Sequence, residues 1–160
     1  MKKIISALLL TTILVFVFNV HTNAQCKAKQ IAKSCRGAMK PYYYDGFAES
    51  EITIGKKAKK QEIEFTAFGK QKYKLIFCTS GFPENVSINI YDKGKTKPNR
   101  TKVYSNESIN KAEWVVAPAK TTTYYIEYDI PEGTSAPRKE CVIMLIGFDE
   151  KSAVGYGDDE

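Results

Sequence analysis

This sequence predicts an all-β fold, an antiparallel β-sandwich of about eight strands preceded by a short helix. Three observations carry the prediction. From residue 49 onward apolar residues recur with a period of two rather than 3.6. Turn signals divide that region into short segments: Phe68-Gly69-Lys70, Ser80-Gly81-Phe82-Pro83, Asp92-Lys93-Gly94, Ala117-Pro118-Ala119 and Pro131-Glu132-Gly133. An even set of four cysteines accompanies a sequence that reads as exported, which favours disulfides.

The elements follow in chain order. Met1-Lys2-Lys3 is a short basic start, residues 4–20 form an apolar run, and Thr22-Asn23-Ala24 places small residues where a signal peptidase reads them. Residues 1–24 are therefore expected to be a signal peptide, with the mature chain starting at Gln25. A retained anchor is the competing reading, because 17 apolar-run residues sit at the lower edge of spanning length. Lipidation of Cys26 would want a small residue before it, and Gln25 stands there. No second run of that length follows, so no transmembrane segment is expected after cleavage. The whole chain has 160 residues and a net charge of +6, and removing the leader leaves 136 residues at +4.

Residues 25–48 read as a helical and aromatic segment packed on the domain. Residues 27–36 favour a helix by propensity, and nine helical residues would separate Cys26 from Cys35 by roughly 13 Å. A disulfide needs Cα atoms within about 7 Å. If the helix forms, Cys26 and Cys35 each pair with Cys78 or Cys141 and staple the helix to the sheet. If the segment is a loop, Cys26 with Cys35 is the default. A four-cysteine zinc site is the alternative use, but paired CxxC spacing is absent and the compartment is oxidising.

The sandwich is expected over residues 49–149. Ile63, Phe65 and Ala67 alternate with polar neighbours, as do Tyr73, Leu75 and Phe77, then Val86, Ile88 and Ile90, then Tyr124, Ile126 and Tyr128. These read as half-buried antiparallel strands. Residues 141–148 are almost continuously apolar, as in a strand buried on both faces. Residues 49–54, 101–106 and 111–117 complete the set, and Trp114 is expected in the core with Val116. Residues 150–160 read as a flexible acidic tail.

The strand string also resembles a known family. Gly69 with Tyr73, Leu75 and Phe77, then Val86-Ser87-Ile88-Asn89-Ile90-Tyr91-Asp92 followed by Gly94, then Thr123-Tyr124-Tyr125-Ile126, is similar to the bacterial pre-peptidase C-terminal domain over residues 60–130. The resemblance implies a jelly-roll-like β-sandwich of the kind appended to secreted enzymes and not itself catalytic. Thr123 stands where that family commonly has glycine, and the four cysteines and basic N-terminal segment are additions.

His21, the one histidine, lies in the expected leader. A mature chain without histidine excludes Ser-His-Asp and Cys-His catalysis and His-ligated zinc or copper. Ser80 sits in a turn without GxSxG context. Glu49 and Glu51 share a strand face, for which a solvated face is the ordinary explanation. Asp149-Glu150 and the acidic tail are the better calcium candidates, with solvation again the simpler account. No cofactor is expected. Tyr42, Tyr43 and Tyr44, with Phe47, could form a stacking platform for sugars, or pack the N-terminal segment onto the sandwich.

Charge is uneven: residues 25–120 hold 19 basic and 9 acidic side chains, and residues 121–160 hold 3 and 9. Lys56, Lys57, Lys59 and Lys60 cluster in one turn, and Lys93, Lys95, Lys97, Arg100 and Lys102 form a second basic loop. Either group could attract an anionic polymer or lipid surface, or could simply serve solubility and edge protection. No nucleic-acid motif is present. The sequence therefore predicts an exported protein, periplasmic or secreted. It is expected to be a non-catalytic binding module for an envelope component: an anionic glycan, a lipid surface or a protein. The alternatives are a structural or accessory subunit of an envelope complex whose sheet edge pairs with a partner, and a histidine-free carbohydrate-active hydrolase.

Overall fold

The computed structural model describes residues 26–78, 86–106, 112–133 and 136–152. The expected signal peptide, Ser80 and the last eight residues of the tail lie outside them. Helix α1 spans Ala28–Cys35 and runs into a 3-10 turn, Arg36–Met39. Eight strands follow: β1 Tyr43–Ile54, β2 Lys59–Ala67, β3 Tyr73–Cys78, β4 Ser87–Tyr91, β5 Lys102–Ser105, β6 Glu113–Val116, β7 Thr122–Ile130 and β8 Arg138–Phe148. They form two four-stranded sheets in the orders β1-β8-β3-β6 and β2-β7-β4-β5, with every pairing antiparallel. The fold is the all-β sandwich with a short N-terminal helix that the alternation predicts.

Alternation builds the main core. Ile52 and Ile54 from β1, Leu75 from β3 and Val142 and Met144 from β8 face Phe65, Ile88, Ile90, Ile126, Tyr128 and Ile130 of the second sheet. Trp114 joins them and meets Tyr124 edge-on, with ring centroids 4.9 Å apart. Tyr128 is fully buried, and its hydroxyl has no hydrogen-bond partner among the described residues.

A second, smaller core lies on the outer face of the first sheet. Ala28, Ala32 and Met39 cover Ile76, Cys78, Cys141, Ile143 and Leu145. β8 is thus buried on both faces, as its continuous apolar run predicts. β3, which alternation alone reads as half-buried, is buried at all six positions. The reason is the helix. Even Lys74 is covered, its Nζ donating to the Ala38 carbonyl at 2.9 Å and pairing with Glu113 at 3.0 Å.

Two disulfides fasten this layer: Cys26 to Cys141 in β8, and Cys35 to Cys78 in β3, with Cα separations of 5.9 and 6.3 Å. The helix keeps Cys26 and Cys35 apart, so the stapled arrangement forms rather than the local bridge. β1 begins at Tyr43, six residues before the expected start of the sandwich at 49. Tyr43 and Tyr44 are therefore part of a strand, whose register shifts between Tyr44 and Gly46, while Tyr42 lies just before it.

Candidate functional site

The outer face of the second sheet is organised around one buried carboxylate. Glu127, at the middle of β7, is 4% exposed. Arg100 Nη1 donates to its Oε2 at 3.0 Å and Lys60 Nζ to its Oε1 at 3.2 Å. Arg100 also pairs with Glu62, donates from Nε to the Lys93 carbonyl at 2.9 Å, and lies with its guanidinium 3.4 Å from the centroid of the Tyr91 ring. Lys60 reaches Asp129 at 3.3 Å as well. Burial alone would raise the Glu127 carboxyl, but hydrogen bonds from Arg100 and Lys60 outweigh it and hold the group below the usual carboxylate range. Lys60 is raised in turn, chiefly by its hydrogen bond to Glu127. The geometry thus ties Arg100 and Lys60 to carboxylates of their own fold. Residue types alone give no sign of this, because the partners Glu62 and Glu127 lie far away in the chain.

The remaining nominated lysines gather at one end of the sandwich. Lys56 and Lys57 occupy the turn between β1 and β2, Lys59 opens β2, and all three are exposed. The turn is braced by a hydrogen bond from the Gly133 amide to the Gly55 carbonyl, 2.8 Å. Beside it runs a groove of about 330 Å³ lined by Glu51, Thr53, Lys59, Gln61, Glu62 and Lys95, among others. Both carboxylates in that lining are already neutralised, Glu51 by Lys139 at 2.7 Å and Glu62 by Arg100. Lys59 and Lys95 have no carboxylate partner among the described residues, so the groove carries surplus positive charge. Lys95 is brought there by its backbone amide, which donates to Glu62 Oε1 at 3.2 Å.

The tyrosine cluster does not act as one surface, because the pleat of β1 sends successive side chains to opposite faces. Tyr42 and Tyr44 pack with Phe47 in the helix-side core. Arg36 sits 4.2 Å from the Tyr44 ring centroid, and the Lys72 and Lys74 ammonium groups lie 5.7 and 5.8 Å from that of Tyr42. Tyr43 points the other way, is 53% exposed, and stacks on Phe148 at 6.2 Å and 23°. A hydrogen bond to Glu150 raises the Tyr43 hydroxyl above its ordinary value.

Cys26, Glu49 and Cys141 come close enough to resemble a ligand set, but both sulfurs are consumed in one disulfide and offer no thiolate. Asp149 accepts the Lys151 amide at 3.1 Å, and among the described residues neither Asp149 nor Glu150 belongs to a group of three metal-ligating side chains.

No family model matches the chain, and no curated protein sequence matches it. Among solved structures it is similar to the crystal structure of PliG from Aeromonas hydrophila, a periplasmic lysozyme inhibitor of g-type lysozyme. That similarity has a TM-score of 0.44 at 11% identity and covers 65% of this chain and 87% of that one. No helix among the described residues is long and apolar enough to cross a membrane.

Proposed function

We propose that this protein is an exported, non-catalytic binding module that takes an anionic glycan of the envelope at the β1–β2 end of the sandwich. The observation that carries the reading is the set of free cations there. Lys56, Lys57, Lys59 and Lys95 have no ion pair among the described residues, while the carboxylates of the adjoining groove are neutralised from elsewhere. An anion entering the groove meets the ammonium groups of Lys59 and Lys95, and Lys56 and Lys57 stand exposed in the turn that leads into β2. Two disulfides support an oxidising compartment, and the leader read from residues 1–24 supports export. The buried charges support binding over catalysis, because Glu127 and Arg100 are saturated by each other and by their neighbours.

Pairing of a partner strand along β1 or β2 fits less well. β1 carries Glu49 and Glu51, and Lys59 lies on the face of β2 that Phe65 and Ala67 turn to the core; charges so placed on edge strands oppose strand addition. The test is a titration with an acidic polysaccharide at several salt concentrations. Binding should weaken steeply as salt rises, and a variant with Lys56, Lys57, Lys59 and Lys95 changed to Gln should lose at least about tenfold in affinity at low salt. Equal binding by that variant would overturn the proposal.

A further inference from the structure

One part of the groove belongs to neither sheet. Residues 92–101, between β4 and β5, cross the outer face of the second sheet and bring Lys95 to the groove lining. The loop they form is closed on itself. At its base the Asp92 amide donates to the Thr101 carbonyl at 3.1 Å and the Thr101 amide to Asp92 Oδ1 at 2.7 Å. Farther out, the Lys97 amide donates to the Gly94 carbonyl and Lys93 Nζ to the Asn99 carbonyl, both at 2.9 Å. Asn99 sits at φ 52°, in the left-handed region where asparagine is enriched. The Lys93 ammonium is thus spent inside the loop, while Lys95 is exposed and faces the groove.

Glu62 fastens this loop to β2. Its side chain is 13% exposed, and both carboxylate oxygens are used on the loop: Oε1 accepts the Lys95 amide at 3.2 Å and Oε2 pairs with Arg100. Two further contacts steady the loop. Gly94 lies against the Tyr125 ring, where a Cβ would come within 3.1 Å, and Arg100 also reaches Glu127. Of these contacts, only the Glu62 bond acts on Lys95 itself.

We infer that Glu62 is a positioning residue of the anion site, and that the loop it clamps sets the affinity for an acidic polysaccharide; the inference rests on the reading of the groove proposed above. The expected sign is the reverse of simple electrostatics. A carboxylate in the lining of an anion site repels the ligand, so removing its charge should by itself tighten binding. Here Arg100 already neutralises that charge in place. What Glu62 supplies is the location of Lys95, because an ammonium group on a fixed backbone gives up less conformational freedom to an anion than one on a loose loop. Glutamine is no substitute. A carboxamide offers one oxygen and one donor nitrogen to two donors, so either the Lys95 amide or Arg100 is left facing another donor.

The experiment titrates the native chain and its variants with the acidic polysaccharide at low salt and follows backbone amide exchange in parallel. Glu62→Gln should weaken binding about threefold and speed exchange of the Lys95 amide, although it makes the groove more positive. Glu64→Gln removes the same charge from the next outward position of β2, an exposed one, and should bind at least as tightly as the native chain. Lys95→Gln should also cost about threefold, and the Glu62→Gln, Lys95→Gln double variant no more than either change alone, since both remove one contribution. A carboxylate that served stability alone would not show this coupling. Gly94→Ala presses the loop away from Tyr125 without altering a charge and should weaken binding likewise; it takes the place of Glu62→Gln in the cycle if that variant does not fold. Native or tighter affinity in folded Glu62→Gln, or losses that add in the double variant, would sink the inference and leave the proposed function standing. No binding by the native chain would remove both.

Discussion

Tyr128 carries a hydroxyl into the middle of the sandwich, where its ring fills space that a phenylalanine could occupy. Burial pushes the hydroxyl up to about 12, and Ser50 across on β1 opposes that rise without reaching hydrogen-bond geometry. A buried hydroxyl without a partner loses its hydration and gains nothing back. Tyr128→Phe is accordingly expected to leave the fold intact and raise stability by about 1 kcal/mol, measured by urea unfolding. A loss of that size instead would mean that the hydroxyl is bonded in solution. Sequence pattern places Tyr128 in the core by its alternation with Glu127 and Asp129. It cannot tell that the neighbouring Glu127 is buried too, because what covers the outer face of β7 is a side chain from residue 100.

The segment between β4 and β5 is held to the second sheet by that same side chain. Arg100 bonds Glu127, Glu62 and the Lys93 carbonyl, and Gly94 lies so close to the Tyr125 ring that a Cβ there would come within 3.1 Å. Glu127 releases its proton at lower pH in the folded chain than in the unfolded one. The network therefore stabilises the fold above the unfolded carboxylate range, and that contribution is lost as the pH falls through the folded value. Melting temperature should drop on the acid side in the native protein and be flatter there in Glu127→Gln, which starts lower at neutral pH. An equally steep acid limb in both proteins would place the titrating group elsewhere. At this scale the sequence is legible in part. The eight strands follow from periodicity and turn residues and the helix from residue propensity, since each is a local property. Which strands become neighbours is a long-range property, and the fate of each charged candidate depends on it: Lys59 and Lys60 are adjacent in sequence, yet the first has no ion pair among the described residues and the second is committed to β7.

For the whole molecule, the two bridges decide how the helical layer stays attached. Its buried apolar side chains are few, Ala28, Ala32 and Met39, with Ile31 partly buried beside them, and each bridge should contribute on the order of 2–4 kcal/mol. Replacing Cys26 and Cys141 together by Ser is expected to cost about that much in urea unfolding and to expose the outer face of β8 to amide exchange, while the main core between the sheets persists. Non-reducing peptide mapping of the native protein should recover the Cys26–Cys141 and Cys35–Cys78 peptides. The pairing also sets a timetable. The loop from Cys35 to Cys78 is nested inside the loop from Cys26 to Cys141, whose ends are 115 residues apart. As the chain emerges from its N-terminus, Cys35 meets its partner early, but Cys26 waits for the last cysteine and for the strand that completes the first sheet. Cys26 is thus the thiol exposed longest to mispairing, and a chain that lingers half-made would favour a wrong bridge from Cys26 that thiol–disulfide exchange must undo before β8 can take its place.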